Sequence, residues 1–283
     1  MELYPDVTKV REKEFKATFE IKAKALYGQI PFAIRMMKEI LTASKLDDEK
    51  RLKEILSMTK TRLQDRFLSA GHSAAALRAM SYKSPISKFK DTTNGIGYYQ
   101  NIREMEEHFE DKKEEITNSL KALAELIFRK GNMMISYTAT REGLAVLEEE
   151  IGSLKEALYP ERTPESRCVL HCEKKNEGFK TSSKVQFAAK AGNFIDAGEE
   201  YNGALQILKV IMSYEYLWIN IRVKGGAYGC MSNFNRLGEG YFVSYRDPNL
   251  GRTLEIYDGV PEYLENFTVS ERDMTCLLYT SPS

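Results

Sequence analysis

The chain of 283 residues is long enough for about two domains, and 42% hydrophobic with 29% charged residues is typical of a globular rather than a disordered protein. Its 41 basic and 41 acidic residues balance, so it lacks the basic excess of most duplex-binding and membrane-surface proteins. No apolar run reaches the ~18 residues of a membrane helix, and the N-terminus has no apolar signal core. Four cysteines are too few for a disulfide scaffold. We therefore expect no nucleic-acid or membrane partner, and a reducing, cytoplasmic setting.

The first half of the chain predicts mostly helices with two strands. Residues 14–26 alternate between apolar and polar side chains, which predicts a half-buried strand. Pro31 is placed to open an amphipathic helix. The elements predicted next are a helix from near Asp47 with a break at Gly71, a loop over 83–98, a helix over 101–129, a strand over 133–139 and a helix over 144–158.

The second half follows a charged, proline-containing stretch that predicts a linker. Beyond it, the pattern predicts a strand over 185–189, a helix over 197–221, strands over 227–234 and 240–245, and a helix over 250–267. Strands and helices mix without a regular βαβ rhythm. We therefore predict an α+β protein of two homologous-looking domains, each with helices on one face of a mainly antiparallel sheet, and the second domain truncated. Residues 276–283 break the preceding pattern, and they are predicted to be a non-native tail that resembles translated adaptor sequence.

The metal-binding residue types do not form a recognisable zinc motif. His72, His108 and His171 show no HxxEH or HExxH spacing, so we expect His72 to be a packed side chain and His108 a solvated one. Cys168, His171 and Cys172 form a CxxHC cluster that lacks the fourth ligand of a structural zinc site. We therefore expect no metal on this chain.

The segment from Ile221 to Tyr245, IRVKGGAYGCMSNFNRLGEGYFVSY, carries the most chemical information. Its glycines do not fit a phosphate-binding loop, because the GxxxxGK[ST] pattern and a following helix are missing. They fit a simple turn between a helix and a strand. They also fit a binding loop in which Arg222 and Tyr228 face one cleft, as fixed donors to a developing oxyanion or a substrate carbonyl.

Three stretches carry a resemblance to a known family. The run RVKGGAYGCMSNFNRLGEGYFVSYRDPNLGRTLEIYDGVPEYLENF resembles the C-terminal part of insulinase-type (pitrilysin) zinc metallopeptidases of the presequence-protease branch. LDDEKRLKEILSMTKTRLQDRFLSAGHSAAALRAMSYKSP resembles the third domain of that branch, and NEGFKTSSKVQFAAKAGNF the start of its fourth. The resemblance predicts a third-domain-like unit over 1–160, a linker over 161–178, a truncated fourth-domain-like unit over 179–275 and the tail over 276–283.

The resemblance implies a peptidase whose two halves close around a peptide. Its zinc ligands and catalytic glutamate lie on an HxxEH helix of the N-terminal half, so zinc would belong to the missing half and none to this chain. Arg222 and Tyr228 match the family pair that completes the site: Tyr228 would stabilise the oxyanion, and Arg222 would hold substrate backbone or the orientation of the tyrosine. Gly225 and Gly226 would let the loop approach the substrate. The implied partners are a peptide substrate and the missing half of the same polypeptide.

The resemblance also leaves alternatives open. By itself the chain is expected neither to bind zinc tightly nor to cleave peptides, and a non-catalytic assembly or substrate-holding relative of the same fold is the second hypothesis. An unrelated nucleic-acid-binding module is the third, and the zero net charge argues against it. For a eukaryotic protein, the mitochondrial matrix or another organelle is the alternative to the cytoplasm.

Overall fold

The computed structural model describes residues 2–11, 14–161 and 169–280, and these residues form an α+β fold. A two-stranded antiparallel hairpin joins Glu2–Arg11 (β1) to Glu14–Lys22 (β2). A three-stranded antiparallel sheet has the order β3-β5-β4, from Ala189–Asn193 (β3), Gly229–Phe234 (β4) and Glu239–Tyr245 (β5). The helices of the described residues are Ile30–Ala43 (α1), Glu49–Ser81 (α2), Pro85–Asn94 (α3), Ile96–Glu107 (α4), Phe109–Ile127 (α5), Arg141–Ala157 (α6), Ala204–Ile211 (α7), Gly251–Asp258 (α8), Val260–Glu265 (α9) and Glu271–Thr280 (α10).

The chain divides by its backbone contacts into two compact units. One consists of Met1–Met58 with Ile102–Cys168, and the other of Thr59–Asn101 with Val169–Ser283. The domain boundaries predicted from the family resemblance remain a prediction. Among the described residues, no helix combines the length and the hydropathy needed to cross a bilayer.

The core of the first unit lies between α1 and α6. Ile30 and Ile34 of α1 are buried with Leu154 of α6, and Pro31 lies in the first turn of α1, as the sequence predicts. The helix predicted over 144–158 is confirmed as α6. The apolar faces of these two helices meet because each is apolar along one stripe only.

Two strand predictions in the first unit need correction. The strand predicted over 14–26 ends at Lys22 and pairs with β1, which sequence analysis missed. The strand predicted over 133–139 is wrong, since these residues form no regular element. An alternating pattern becomes a strand only beside a partner strand that supplies hydrogen bonds. The structure shows no such partner for 133–139 among the described residues.

Helix predictions between Asp47 and Ile127 also differ from the structure. The loop predicted over 83–98 is wrong: Ser84 caps α3 by accepting a 3.3 Å hydrogen bond from the Ser87 N–H, and Pro85 occupies the first turn. The break predicted at Gly71 is a kink at Ala70, whose φ of −130° and ψ of 36° are not helical. The single helix predicted over 101–129 is divided at His108 into α4 and α5.

In the second unit, α7 and the helical residues 212–223 that follow it pack against the three-stranded sheet. Met212, Leu217 and Ile221 are completely or almost completely buried there, together with Tyr257 of α8. The two strands predicted over 227–234 and 240–245 are confirmed as β4 and β5. The strand predicted over 185–189 lies later, at β3.

The C-terminal segment is more regular than predicted. Helix α10 runs to Thr280, and Leu277 packs partly against the core of the second unit. Residues 276–280 are therefore part of a helix, and the non-native origin of the tail over 276–283 remains a prediction. Residues 281–283 lie outside the described residues.

Candidate functional site

The helix that leads into the glycine loop widens before it ends. The helix predicted over 197–221 begins at Ala204 as α7 and continues as π-helical stretches over Met212–Tyr216 and Trp218–Val223. The Lys224 N–H donates a 3.0 Å hydrogen bond to the Ile219 carbonyl five residues earlier, as in a π-helix. Such widened turns are frequent at functional sites. Sequence periodicity did not predict this one.

The two adjacent glycines end this helix for two different reasons. A Cβ atom on Gly225 would lie 2.4 Å from the Ile221 carbonyl oxygen, so no larger residue fits without moving the backbone. Gly226 has a φ of +79°, the left-handed conformation that commonly ends helices, and its N–H donates a 2.9 Å hydrogen bond to the Arg222 carbonyl. The chain thereby turns from the helix into β4.

Tyr228 lies where the glycine turn enters β4. Its N–H lies 3.0 Å from the Tyr245 carbonyl oxygen and 3.3 Å from that of Arg246, which fixes the backbone against the end of β5. An open cleft of about 440 Å³ lies beside this turn. The residues that line it are Arg222, Val223, Gly226, Ala227, Tyr228 and Arg246.

The structure brings together three of the four site residues predicted from the sequence. Arg222, Gly226 and Tyr228 line the cleft, and Gly225 supports the turn without being among the lining residues. The Arg222 Cζ atom is 5.3 Å from the Tyr228 ring centroid and 4.5 Å from that of Trp218. Two aromatic rings therefore hold the guanidinium by cation–π interactions. The roles of these residues remain predictions.

Sequence analysis missed two residues of this site. Trp218 is the single tryptophan of the chain and lies one π-helical turn before Arg222. Arg246 lines the cleft from the end of β5, where it has a φ of 49°. An arginine directly before an Asp-Pro pair was the available signal, because Asp-Pro favours a turn at which a side chain can change direction.

Tyr228 packs at one end of a row of aromatic side chains. Tyr228 contacts the Tyr245 ring edge-on at a centroid distance of 5.6 Å, and Tyr245 contacts His72 in the same way at 4.8 Å. His72 is therefore packed, as predicted, and burial lowers the pKa of its imidazole. Tyr228 itself remains 64% exposed and lines the cleft, so its side chain is accessible to a ligand.

The chemistry of the cleft lining is that of donors. Two guanidiniums and one phenol line it, without a carboxylate, imidazole or thiol. Cys230, which follows in β4, is buried, and burial raises the pKa of its thiol to about 11, although Arg222 opposes the shift. The thiol therefore stays protonated near neutral pH and is not a nucleophile. The lining can hold an electron-rich oxygen, but it contains no general base.

No metal site accompanies the cleft in the described part of the chain. These residues contain no group of three histidine, cysteine, aspartate or glutamate side chains arranged to hold an ion. Of the CxxHC cluster, Cys168 lies outside the described residues, and burial raises the pKa of the Cys172 thiol. The described residues therefore do not fit the zinc site of a metallopeptidase.

Comparison with known proteins identifies both parts of the chain. The family profile for the region associated with peptidases of family M16, subfamily C, matches residues 2–105. The profile described as "PreP C-terminal domain" matches residues 176–280, including five residues of the predicted tail. Residues 106–175, which contain the C-terminal part of the first predicted domain and most of the predicted linker, lie between the two matches.

Curated relatives match nearly the whole chain. Protein HypA of Clostridium perfringens is 39% identical over 94% of this chain and 27% of its own length. Presequence protease 1, chloroplastic/mitochondrial, of Arabidopsis thaliana is 27% identical over 96% of this chain and 26% of its own, and the mitochondrial presequence protease of Drosophila melanogaster is 26% identical over 89% and 24%. The chain thus spans about a quarter of the length of these relatives. With both domain profiles and the relatives in agreement, the chain belongs to the presequence-protease type of the M16 peptidases, in subfamily C.

Proposed function

We propose that this chain supplies the oxyanion-binding side of the active site of a peptide-degrading zinc metallopeptidase. The observation that carries the proposal is the cleft beside the glycine turn, where Arg222 and Tyr228 present donors and no lining residue can act as a base or nucleophile. A donor set of this kind stabilises a transition state that another part of the enzyme must generate.

In this proposal, the two donors have different tasks. The Tyr228 hydroxyl would donate to the oxygen of the scissile carbonyl as its negative charge develops, which stabilises the transition state more than the bound peptide. The Arg222 guanidinium, held between Trp218 and Tyr228, would bind a substrate backbone carbonyl in both states. Gly226 would allow the peptide to approach the loop, and Gly225 would keep the loop close to the helix end.

The proposal places zinc and its ligands outside this chain. M16 peptidases are zinc metallopeptidases, and the metal supplies a polarised water and a Lewis acid to peptide hydrolysis. We propose that an HxxEH-bearing half of the same polypeptide contributes that site and closes with this chain around the peptide. The relatives named as mitochondrial or chloroplastic, beside one from a bacterium, make an organelle or the bacterial cytoplasm the expected compartment.

The second candidate is a non-catalytic relative that holds a substrate or an assembly partner. The donor-only lining of the cleft fits this function too, because a binding site needs no base. The two functions differ in what the rest of the polypeptide contains. Peptidase activity that a chelator abolishes favours the first, and peptide binding without cleavage favours the second.

The test is a kinetic study of the longest reading frame that contains this chain. We expect Tyr228→Phe to lower kcat by about 10²–10³-fold with little change in KM, the usual cost of losing one oxyanion donor. Arg222→Lys should raise KM and lower kcat, because a lysine cannot reproduce the planar fork of donors.

Tyr214→Phe is the matched control, since Tyr214 is 68% exposed and does not line the cleft. It should leave both constants unchanged. Near-normal turnover of Tyr228→Phe would refute the oxyanion role, and the glycine loop would then be a turn between a helix and a strand.

A further inference from the structure

Arg246 occupies an irregularity at the end of β5. Along β5 the pairing with the preceding strand is regular, from Asn193 opposite Glu239 to Ala189 opposite Val243. The next bridge joins Gln186 to Asp247. Between these two bridges, the three residues 244–246 on the β5 side lie opposite the two residues 187–188 on the β3 side. One extra residue in one strand is a β-bulge, a device that redirects a side chain and is over-represented next to active sites.

The bulge holds Arg246 in a left-handed backbone conformation that residues other than glycine rarely adopt. Its φ of 49° is the only positive φ of a non-glycine residue among those the structure describes. Strain of this kind persists where the surroundings fix it, and it is concentrated at ligand-binding sites.

The chain on either side of Arg246 is firmly held. The N–H and carbonyl of Asp247 each form a 2.9 Å hydrogen bond with Gln186. The buried Asp247 carboxylate accepts hydrogen bonds from the Thr253 hydroxyl at 2.6 Å and from the Asn249 N–H at 2.8 Å. The surroundings therefore determine the position of Arg246, and the arginine itself adds little to them.

The charge of the Arg246 side chain indicates which kind of ligand the cleft would bind. It is exposed, its Cζ atom lies 5.5 Å from the Tyr245 ring centroid, and it lines the same cleft as Arg222. Within the described residues, no carboxylate lies within ion-pair distance of either guanidinium. Two uncompensated cations beside one phenol form a site for an anion, and an arginine fork matches the two oxygens of a carboxylate.

We propose that Arg246 is a specificity-determining residue that binds a carboxylate of the peptide in the cleft, either an acidic side chain or the C-terminal carboxylate. The inference rests on the proposed function only in taking the ligand to be a peptide. It assigns to Arg246 a contact distinct from the backbone contact of Arg222 and the oxyanion contact of Tyr228.

The test measures peptide binding to this chain by the fluorescence of Trp218, which contacts Arg222 and is the single tryptophan. Three peptides of equal length are titrated at low ionic strength: acetyl-AAAAEAA-amide, acetyl-AAAAQAA-amide, and acetyl-AAAAQAA with a free C-terminus. We expect at least one carboxylate peptide to bind about tenfold more tightly than the neutral amide, as one charge-assisted contact predicts. The peptide that gains affinity identifies the side chain or the terminus as the source.

Variants separate this role from a structural one. Arg246→Gln should abolish the preference, and Arg246→Gly should also abolish it while leaving the melting temperature unchanged or raised, because glycine adopts the left-handed conformation without strain. Arg236→Gln is the control, since Arg236 is another exposed arginine over a tyrosine ring, that of Tyr201. It should keep the preference.

Equal affinity for the three peptides, no binding of any of them, or a preference that survives Arg246→Gln would overturn the inference. Tyr228→Phe keeps the ring and both guanidiniums, so it should retain the carboxylate preference. A failure of the oxyanion role in turnover therefore remains distinguishable from a failure of this proposal.

Discussion

Arg78 donates a 2.7 Å hydrogen bond from Nη1 to Oδ2 of Asp91, whose side chain is completely buried. The Asp91 carboxylate also accepts hydrogen bonds from the N–H groups of Ile96, at 3.0 Å, and Gly97, at 3.2 Å. The remaining guanidinium nitrogens of Arg78 bind both carboxylate oxygens of Glu177, at 2.8 and 3.1 Å. One arginine thus joins α2, the α3–α4 turn and the segment before β3.

We predict that Arg78→Met lowers the free energy of unfolding by about 3 kcal/mol or more, because it leaves a buried carboxylate without its counter-ion. Urea unfolding followed by Trp218 fluorescence measures this change, since Arg78 and Trp218 belong to the same compact unit of the chain. Lys190→Met is the control, since Lys190 and Asp258 form an ion pair at the surface. It should change stability little. Equal effects of the two substitutions would show that the buried pair is not a major stabilising contact.

The two glycines before Tyr228 should respond differently to alanine. Gly226→Ala should cost about 1 kcal/mol, the usual penalty for a left-handed residue that gains a Cβ, because the nearest atom to that Cβ is 3.7 Å away. Gly225→Ala should cost more, since its Cβ would meet a backbone oxygen at 2.4 Å that cannot move without unwinding the helix end. Urea denaturation of both variants gives the order, and the reverse order would contradict this account of the turn.

Burial of Cys230 predicts a loss of stability at alkaline pH. Its thiol pKa rises from the ordinary 9.0 to about 11 in the folded chain, mainly through burial. Between these values the unfolded thiol releases a proton and the folded thiol retains it, so stability is present below pH 9 and declines as the pH rises to 11. Relative to Cys230→Ala, the parent chain should therefore lose stability over this window in thermal unfolding. Cys276→Ala, at an exposed position, should show the parent's pH profile.

Two tyrosine hydroxyls in the second unit should contribute unequally to stability. The Tyr257 hydroxyl is buried and donates a 3.1 Å hydrogen bond to the Ala188 carbonyl, whereas the Tyr228 ring is 64% exposed. We expect Tyr257→Phe to cost about 1 kcal/mol and Tyr228→Phe to leave the melting temperature unchanged. Calorimetry of both variants checks this, and a marked destabilisation by Tyr228→Phe would mean that any kinetic loss has a structural origin.

Local patterns in the sequence determined much of the fold and half of the site. Pro31 with an apolar stripe predicted α1, and the alternation around the glycine loop predicted β4 and β5, because each signal depends on neighbouring residues alone. The zero net charge argued against a nucleic-acid partner, and the missing HxxEH motif argued against a zinc site on this chain. Arg222 and Tyr228 were identifiable as donors on either side of the glycine turn.

Tertiary structure decided what depends on residues distant in sequence. Whether 133–139 forms a strand depends on a partner strand, whereas the helix that replaces the loop predicted over 83–98 begins at local signals, the Ser84 cap and Pro85, that sequence analysis missed. The π-helical geometry over Trp218–Val223, where the Arg222 guanidinium lies over the rings of Trp218 and Tyr228, was not predicted by the periodicity of the sequence. Arg246 enters the cleft because a bulge, fixed by the pairing of Asp247 with Gln186, adds one residue to the end of β5. Register between strands is a long-range property, and local sequence patterns do not specify it.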